Sequence, residues 1–394
     1  MTLRAFLFTM AALMAAQPLG AVAPEAVDYA ADARSIEALI NANYAYLDRF
    51  AGGRMPMTER LRAEAGRVDS QRELLRFAER ALTLLADHHA ITGASLKDSW
   101  AVFPSYGDLW IEKDAAAFRV TAVREGSPAA SAGVRQGDRL LAVEGKPAAQ
   151  AVADFWADLG ARGGGERDAF AARVLAAGRR DRPRLLTFRR AGQPAWELTL
   201  PNLYAAPRGQ LPPVTSSTVG REYRIRFNDS LGDDATIAAF DAAMGKARAG
   251  QRLVIDLTDT PSGGNTSIAR AVLGCFVRRP TFYQVHNLPA EERSTGIGRQ
   301  WVEQVLPRKG RYRAGPVVVR VGRWTGSMGE GLAIGFDAIG ARVEGERMAG
   351  LLGAIYDHRL EQSGLIIKFP TERLSATDGT PREKFVPEPL ASPR

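Results

Sequence analysis

A single cysteine, Cys275, stands in a chain of 394 residues. It excludes an intrachain disulfide, and no cysteine near the N-terminal segment could carry a lipid. Histidine is scarce too, with four residues, and none sits in the ligand spacing of a zinc site. No metal and no cofactor is expected. Past the N-terminus no apolar run is long enough to cross a bilayer. An RNA-binding signature and a basic helix are also missing, which sets nucleic acid aside despite a formal net charge of +8. The densest basic cluster, Arg278, Arg279, Arg293, Arg299, Arg308, Lys309, Arg311 and Arg313, reads as a solvated face or as arginines meeting carboxylates.

What is present is an ordinary globular composition, 45% apolar and 24% charged, in a chain long enough for two or three domains. Arg4 precedes an apolar run from Ala5 to Ala16, then Pro18, Gly20 and the triplet Ala21-Val22-Ala23. This is the pattern of a secretory signal peptide over residues 1–23. Pro24 leaves the cleavage site open between about residues 20 and 33. An exported protein is expected, periplasmic in a Gram-negative source and not integral to a membrane. The sequence does not fix an oligomeric state.

Residues 30–100 read as a helical segment. Ile36, Ile40, Tyr44 and Leu47 mark one apolar face and Leu74, Ala78, Leu82 and Leu85 another. Ser70 to Glu73 offers a capping box. The second helix runs out near Asp87-His88-His89, where one histidine caps the end and the other is solvated, unless the pair has chemistry to do. His286 and His358 lack a motif and read as surface or packing residues.

Residues 103–200 form a second unit. Phe118 to Val123 alternates as a strand, followed by Gly126-Ser127-Pro128, Ala129 to Gly133, and Gly137-Asp138-Arg139-Leu140-Leu141 to Gly145. This stretch closely resembles the PDZ domain of exported bacterial proteases. PDZ domains take a peptide by strand addition beside a loop that captures its terminal carboxylate. Tyr106-Gly107-Asp108-Leu109 is the candidate loop, with Asp108 a poor neighbour for a carboxylate. The connection from Gln150 to Arg182 is longer than usual, and Leu185–Arg190 with Trp196–Leu200 reads as a closing hairpin.

A proline-bearing linker is expected over 201–220, then an α/β unit over 221–394. Strands are expected at Tyr223–Phe227, Leu253–Leu257 and Pro316–Val321, with helices at Thr236–Ala249, Ser267–Phe276 and from Met328 onward. Two glycine-bearing loops follow buried strands. One holds Gly263-Gly264; the other holds Ser327 between a strand end and a helix start. By itself Gly326-Ser327 favours the plainer reading, an N-cap serine on an α/β crossover. Paired glycines, however, let a backbone N–H approach a reacting carbonyl, and with the Met328 N–H they could hold an oxyanion.

Together the Val-Ile-Asp-Leu strand, Gly263-Gly264, Ser327 with Glu330, and Gly345-Glu346-Arg347 resemble the C-terminal processing peptidases. The resemblance implies a crotonase-like (ClpP-like) α/β core with an N-terminal helical segment and an inserted PDZ domain. It also implies Ser327 as nucleophile and Gly263, Gly264 and Met328 as oxyanion hole. The lysine base of those enzymes is absent, since Met348 to Gly353 holds none. The related tricorn-core branch is more similar, because it takes a histidine from an Asp-x-His setting and a glutamate from a late loop. That implies His89 as base, His88 as an assisting neighbour, and Glu383 as orienting carboxylate with Glu388 as the alternative. The expectation is a serine-type peptidase acting on polypeptides, including their C-terminal tails. The alternative is a non-catalytic peptide-binding adaptor on the same fold.

Overall fold

Short β-branched runs build the core. The computed structural model describes residues 27–205, 211–248 and 250–390, and the signal segment over 1–23 lies outside them. Strands Glu222–Phe227, Arg252–Asp256, Val317–Val321 and Arg342–Gly345 are parallel neighbours. Between them run helices Ala235–Lys246, Thr266–Leu273 and Met328–Ala338. Val254, Ile255, Leu257 and Val319 are fully buried, as the strands of a covered parallel sheet must be. The first two helices end at Lys246 and Leu273, short of the expected Ala249 and Phe276.

One boundary is corrected. The stretch read as a linker contains strand Val214–Val219, antiparallel to Glu222–Phe227. Its Thr and Ser residues gave it a loop-like composition, yet it is the sheet's edge, where one row of groups faces water.

A second, antiparallel sheet has no counterpart in the sequence reading. Ile91–Thr92 pairs with Ile366–Ser375, which pairs with Ala354–Arg359 and Thr281–Asn287, and the latter with Gln300–Val305. Gln300–Val305 alternates exposed and half-buried side chains and ends on one buried valine, too weak an apolar signal to stand out. This sheet has a functional consequence. By pairing Ile91 with Lys368 it draws the residues just after His89 onto the α/β core.

The N-terminal helices are Tyr29–Asn43, Glu59–Ala65 and Gln71–Thr83. Ser70 caps the third through Glu73 N, while the Glu73 carboxylate reaches Asp69 N rather than Ser70 N. The PDZ unit is a sheet of Leu109–Asp114, Ala117–Val123, Arg139–Val143, Arg184–Arg189 and Ala195–Leu200. The long connection holds two helices, Ala148–Asp158 and Glu166–Ala177. Trp324 Nε1 donates to Gly107 O at 2.8 Å and Arg124 Nε to Asp259 Oδ1 at 2.6 Å, joining this unit to the core.

The expected carboxylate loop is engaged by the protein itself. Tyr106 stacks on Tyr204 at 3.7 Å, a Cβ on Gly107 would lie 2.3 Å from the Phe103 ring, and Leu109 is buried. Asp108, fully buried, pairs with Arg184 at 2.6 and 3.0 Å and accepts from Ala129 N. Removing one partner of such a pair strands the other charge without solvent. Asp108→Ala is therefore expected to cost about 3–5 kcal/mol, and Asp108→Leu with Arg184→Met far less. Urea unfolding followed by tryptophan fluorescence checks both.

Candidate active site

Two loops at the carboxyl ends of adjacent parallel strands are laced together. Asp259–Thr260 and Trp324–Thr325 form a short parallel pair. Gly326 N donates to Thr260 O at 3.1 Å and Thr325 Oγ1 to Leu257 O at 2.7 Å. Ligand sites of open α/β sheets form at this end of the strands.

Ser327 occupies φ 51°, ψ −115°. A non-glycine residue takes that left-handed conformation rarely, and such strain concentrates at functional turns. Gly263 lies directly against it. A Cβ on Gly263 would stand 2.4 Å from Ser327 Cβ, 2.8 Å from its Oγ and 2.9 Å from Met328 N. A Cβ on Gly264 would collide with the Leu231 carbonyl carbon at 2.1 Å. Leu231 N donates to Gly263 O, and Asn265 N to Leu231 O at 3.3 Å. That parallel bridge leaves the Gly264 N–H facing away from Leu231, and Met328, first in its helix, has no intrahelical acceptor. Gly263→Ala would push a methyl into the serine at φ +64°. Hydrolysis is expected to fall by about 100-fold or more, with the circular dichroism spectrum unchanged; steady-state kinetics on the folded variant checks this.

Glu330 ties the serine loop to its neighbour. Its buried carboxylate accepts from Ser327 N at 2.9 Å, Gly350 N at 2.8 Å and Leu351 N at 3.2 Å. Burial pushes it up to about 7, against the pull of Arg382 and of those three N–H groups. Arg382, also buried, donates to Leu351 O at 3.0 Å and Gly353 O at 2.7 Å.

His89 hangs on the same segment. Its Nδ1 meets Leu352 O at 2.6 Å. A carbonyl only accepts, so Nδ1 carries the proton and Nε2 keeps its lone pair, the tautomer a general base needs. Burial, with the Arg382 charge beside it, lowers His89 to about 4, so the ring is neutral at physiological pH. Its own N–H is held by Asp87 Oδ1 at 2.9 Å, and Asp87 is held by Tyr44 OH at 2.9 Å. His88 points elsewhere. It receives Arg173 Nε at 3.0 Å and stacks on Phe170, and burial holds it well below its usual value. Neither histidine is a solvated cap: His89 is buried, and His88 is half-buried against Phe170 and Arg173.

Among the described residues no hydrogen bond joins His89 to Ser327 or to Glu383. His89 and Ser327 share a neighbour instead: the segment 350–353 is held by His89, by Arg382 and by Glu330, which also accepts from Ser327 N. Glu383 is half-buried, its Oε2 without a partner, and its charge acts on Tyr46 and Asp87. Glu388 is exposed and pairs with Arg342 at 3.3 Å.

A cleft of about 380 Å³ opens in front of the serine, lined among others by Gly264, Ser327, Met328, His286, Glu372 and Arg382. Sequence reasoning missed two of these. Arg382 adjoins Glu383 and could have been suspected from the late loop. His286 corrects the reading as a surface or packing residue: it is buried, with Nδ1 at 2.7 Å from Glu372 and Nε2 at 3.3 Å from Glu303. Burial acts to lower it, but the two carboxylates overcome that and push it up to about 9. Its partners lie 17 and 86 residues along the chain, so no local pattern announces the cluster.

Residues 119–155 match the PDZ domain model, and residues 225–387 match the model of Peptidase family S41. Compared by sequence with curated proteins, the chain has no match. Among solved structures it is similar to the photosystem II D1 C-terminal processing protease, at 17% identity and TM-score 0.57, over 92% of this chain and 93% of that one. It is likewise similar to mature CPAF, at 15% identity and TM-score 0.57, over 92% of each chain. A PDZ domain match thus stands ahead of a match to Peptidase family S41, the family of a serine-type peptidase, on a fold shared with processing proteases.

Proposed function

We propose that Ser327 is the nucleophile, His89 its general base and Glu383 the carboxylate that steadies the base, acting on polypeptides exported with the enzyme. The observation that carries this reading is Ser327 at φ 51° with Gly263 packed on its side chain and two backbone N–H groups beside it. In the first step Ser327 Oγ bonds to the peptide carbonyl carbon while His89 Nε2 takes its proton. The Gly264 and Met328 N–H groups, with Gly263 giving them room, receive the oxyanion. His89 returns the proton to the leaving amine. Water then attacks the acyl-enzyme, giving its proton to His89, and Ser327 leaves with it. A base held near about 4 is wholly in its acceptor form at neutral pH, though a weaker base than an imidazole in water. Residues 1–23 supply the export step.

A second reading is favoured by one observation. His286 lines the same cleft and is already paired with a carboxylate, Glu372, at 2.7 Å. In that reading His286 and Glu372 replace His89 and Glu383, and Nε2 must first lose its proton near pH about 9.

The deciding experiment incubates the full chain with an unfolded polypeptide and reads the products by mass spectrometry. New termini that vanish in Ser327→Ala support the peptidase reading. Binding without cleavage would favour the adaptor instead.

A further inference from the structure

A PDZ domain takes an extended peptide against the open edge of a strand. In this chain that edge belongs to Leu109–Asp114, which follows Asp108 and is terminal in its sheet, paired among the described residues only with Ala117–Val123. Helix Glu166–Ala177, from the long connection, packs along this strand and against helix Ala148–Asp158. Every residue from Asp168 to Ala177 is buried, which a helix on an outer surface would not show. Arg173 Nη1 donates to Ile111 O at 3.1 Å, taking a backbone acceptor of the strand that an added peptide would need. Lys113 Nζ is bound at 2.6 Å by Asp168. Phe170 packs on Trp156 of the neighbouring helix at 6.0 Å.

We infer that helix Glu166–Ala177 is the resident occupant of the PDZ peptide groove and stays there during turnover, so that this PDZ unit does not read substrate tails. The helix is fastened on its other side as well. Arg173 Nε donates to His88, Phe170 stacks on His88 at 4.4 Å, and Arg167 Nη1 donates to Leu84 O at 2.9 Å. An incoming tail would have to expose the apolar face of the helix. It would also strip Arg173 from two acceptors at once; the peptide would take Ile111 O, but the buried Arg173 guanidinium and His88 would lose their bonds. Gly163, Gly164 and Gly165 lead into the helix, yet Gly164 N is held by Asp168 Oδ1 at 2.8 Å, so the entry is fastened too. The inference does not depend on which histidine serves Ser327.

The test uses the full chain with Ser327→Ala and a fluorescein-labelled octapeptide ending in Leu-Ala-Ala with a free carboxylate. Anisotropy is measured before and after Lys113→Cys and Asp168→Cys are joined by a short bis-maleimide; buried Cys275 stays unmodified. The expected result is no saturable binding, or binding that the cross-link changes by less than about twofold. Saturable binding weakened about tenfold or more by the cross-link would overturn the inference. Hydrogen exchange on the uncross-linked chain gives an independent reading. Amides of residues 166–177 are expected to remain protected in excess peptide, and peptide-induced loss of that protection would equally overturn it.

Discussion

Ser327→Ala is expected to lower kcat for hydrolysis of an unfolded polypeptide by about 10⁴–10⁶-fold, with the melting temperature within a few degrees of wild type. The geometry gives both halves of this expectation. Ser327 is only half-buried, so losing its hydroxyl opens no sizeable cavity. The loop is held by backbone and carboxylate contacts that alanine keeps, among them Ser327 N to Glu330 Oε2 and Gly326 N to Thr260 O. Catalysis, by contrast, has no free substitute in this turn, since the Thr325 hydroxyl is buried and donates to Leu257 O. KM is expected to change little, because substrate contacts along the cleft are unaffected. Steady-state kinetics beside thermal unfolding separates these outcomes.

The second large effect is that of His89→Gln, about a 10³–10⁴-fold loss in kcat/KM, against a loss of less than about tenfold for His286→Gln. In wild type the rate is expected to rise with pH through about 4 and then level, following the burial-lowered His89. The same group leaves a signature in stability. Its folded value lies below the ordinary 6.5, so the fold disfavours the protonated ring. The unfolded chain therefore binds more protons across that interval, and stability rises with pH there. The contribution is complete above about 6.5 and is lost as pH falls through about 4. Hence the stability gap between wild type and His89→Gln should widen from pH about 4 to about 6.5, by at most about 1.4 kcal/mol per unit. Glu330 has the opposite sign over nearly the same interval, being raised from 4.5 to about 7. The wild-type curve alone would hide both; the difference between the two proteins exposes one.

The Ser327 loop was legible because its signal is local. Val317–Val321, Gly326-Ser327 and a helix from Met328 need only periodicity and a turn residue to be read, and the Gly263-Gly264 loop likewise sits behind a buried strand. The PDZ strands were readable for the same reason. What escaped is non-local. The antiparallel sheet is made of strands whose partners lie far apart in sequence, such as Ile91 with Lys368, and its edge strand lacks apolar contrast. Arg382 and His286 matter through contacts that only this sheet creates. Asp87-His88-His89 stands out in a chain with four histidines, yet nothing in its spacing tells that His89 reaches Leu352 O while His88 turns toward Arg173. The occupied PDZ groove was hidden in the same way. A long connection is visible in sequence, but its docking against Leu109–Asp114 is not.

The central claim is that His89 activates Ser327. The rate at which a fluorophosphonate labels Ser327, followed by intact mass across pH, tests it most directly. The account predicts labelling at Ser327 that rises through pH about 4, stays level at neutral pH and is lost in His89→Gln. Labelling that persists in His89→Gln and instead rises near pH about 9 in step with His286 would contradict it.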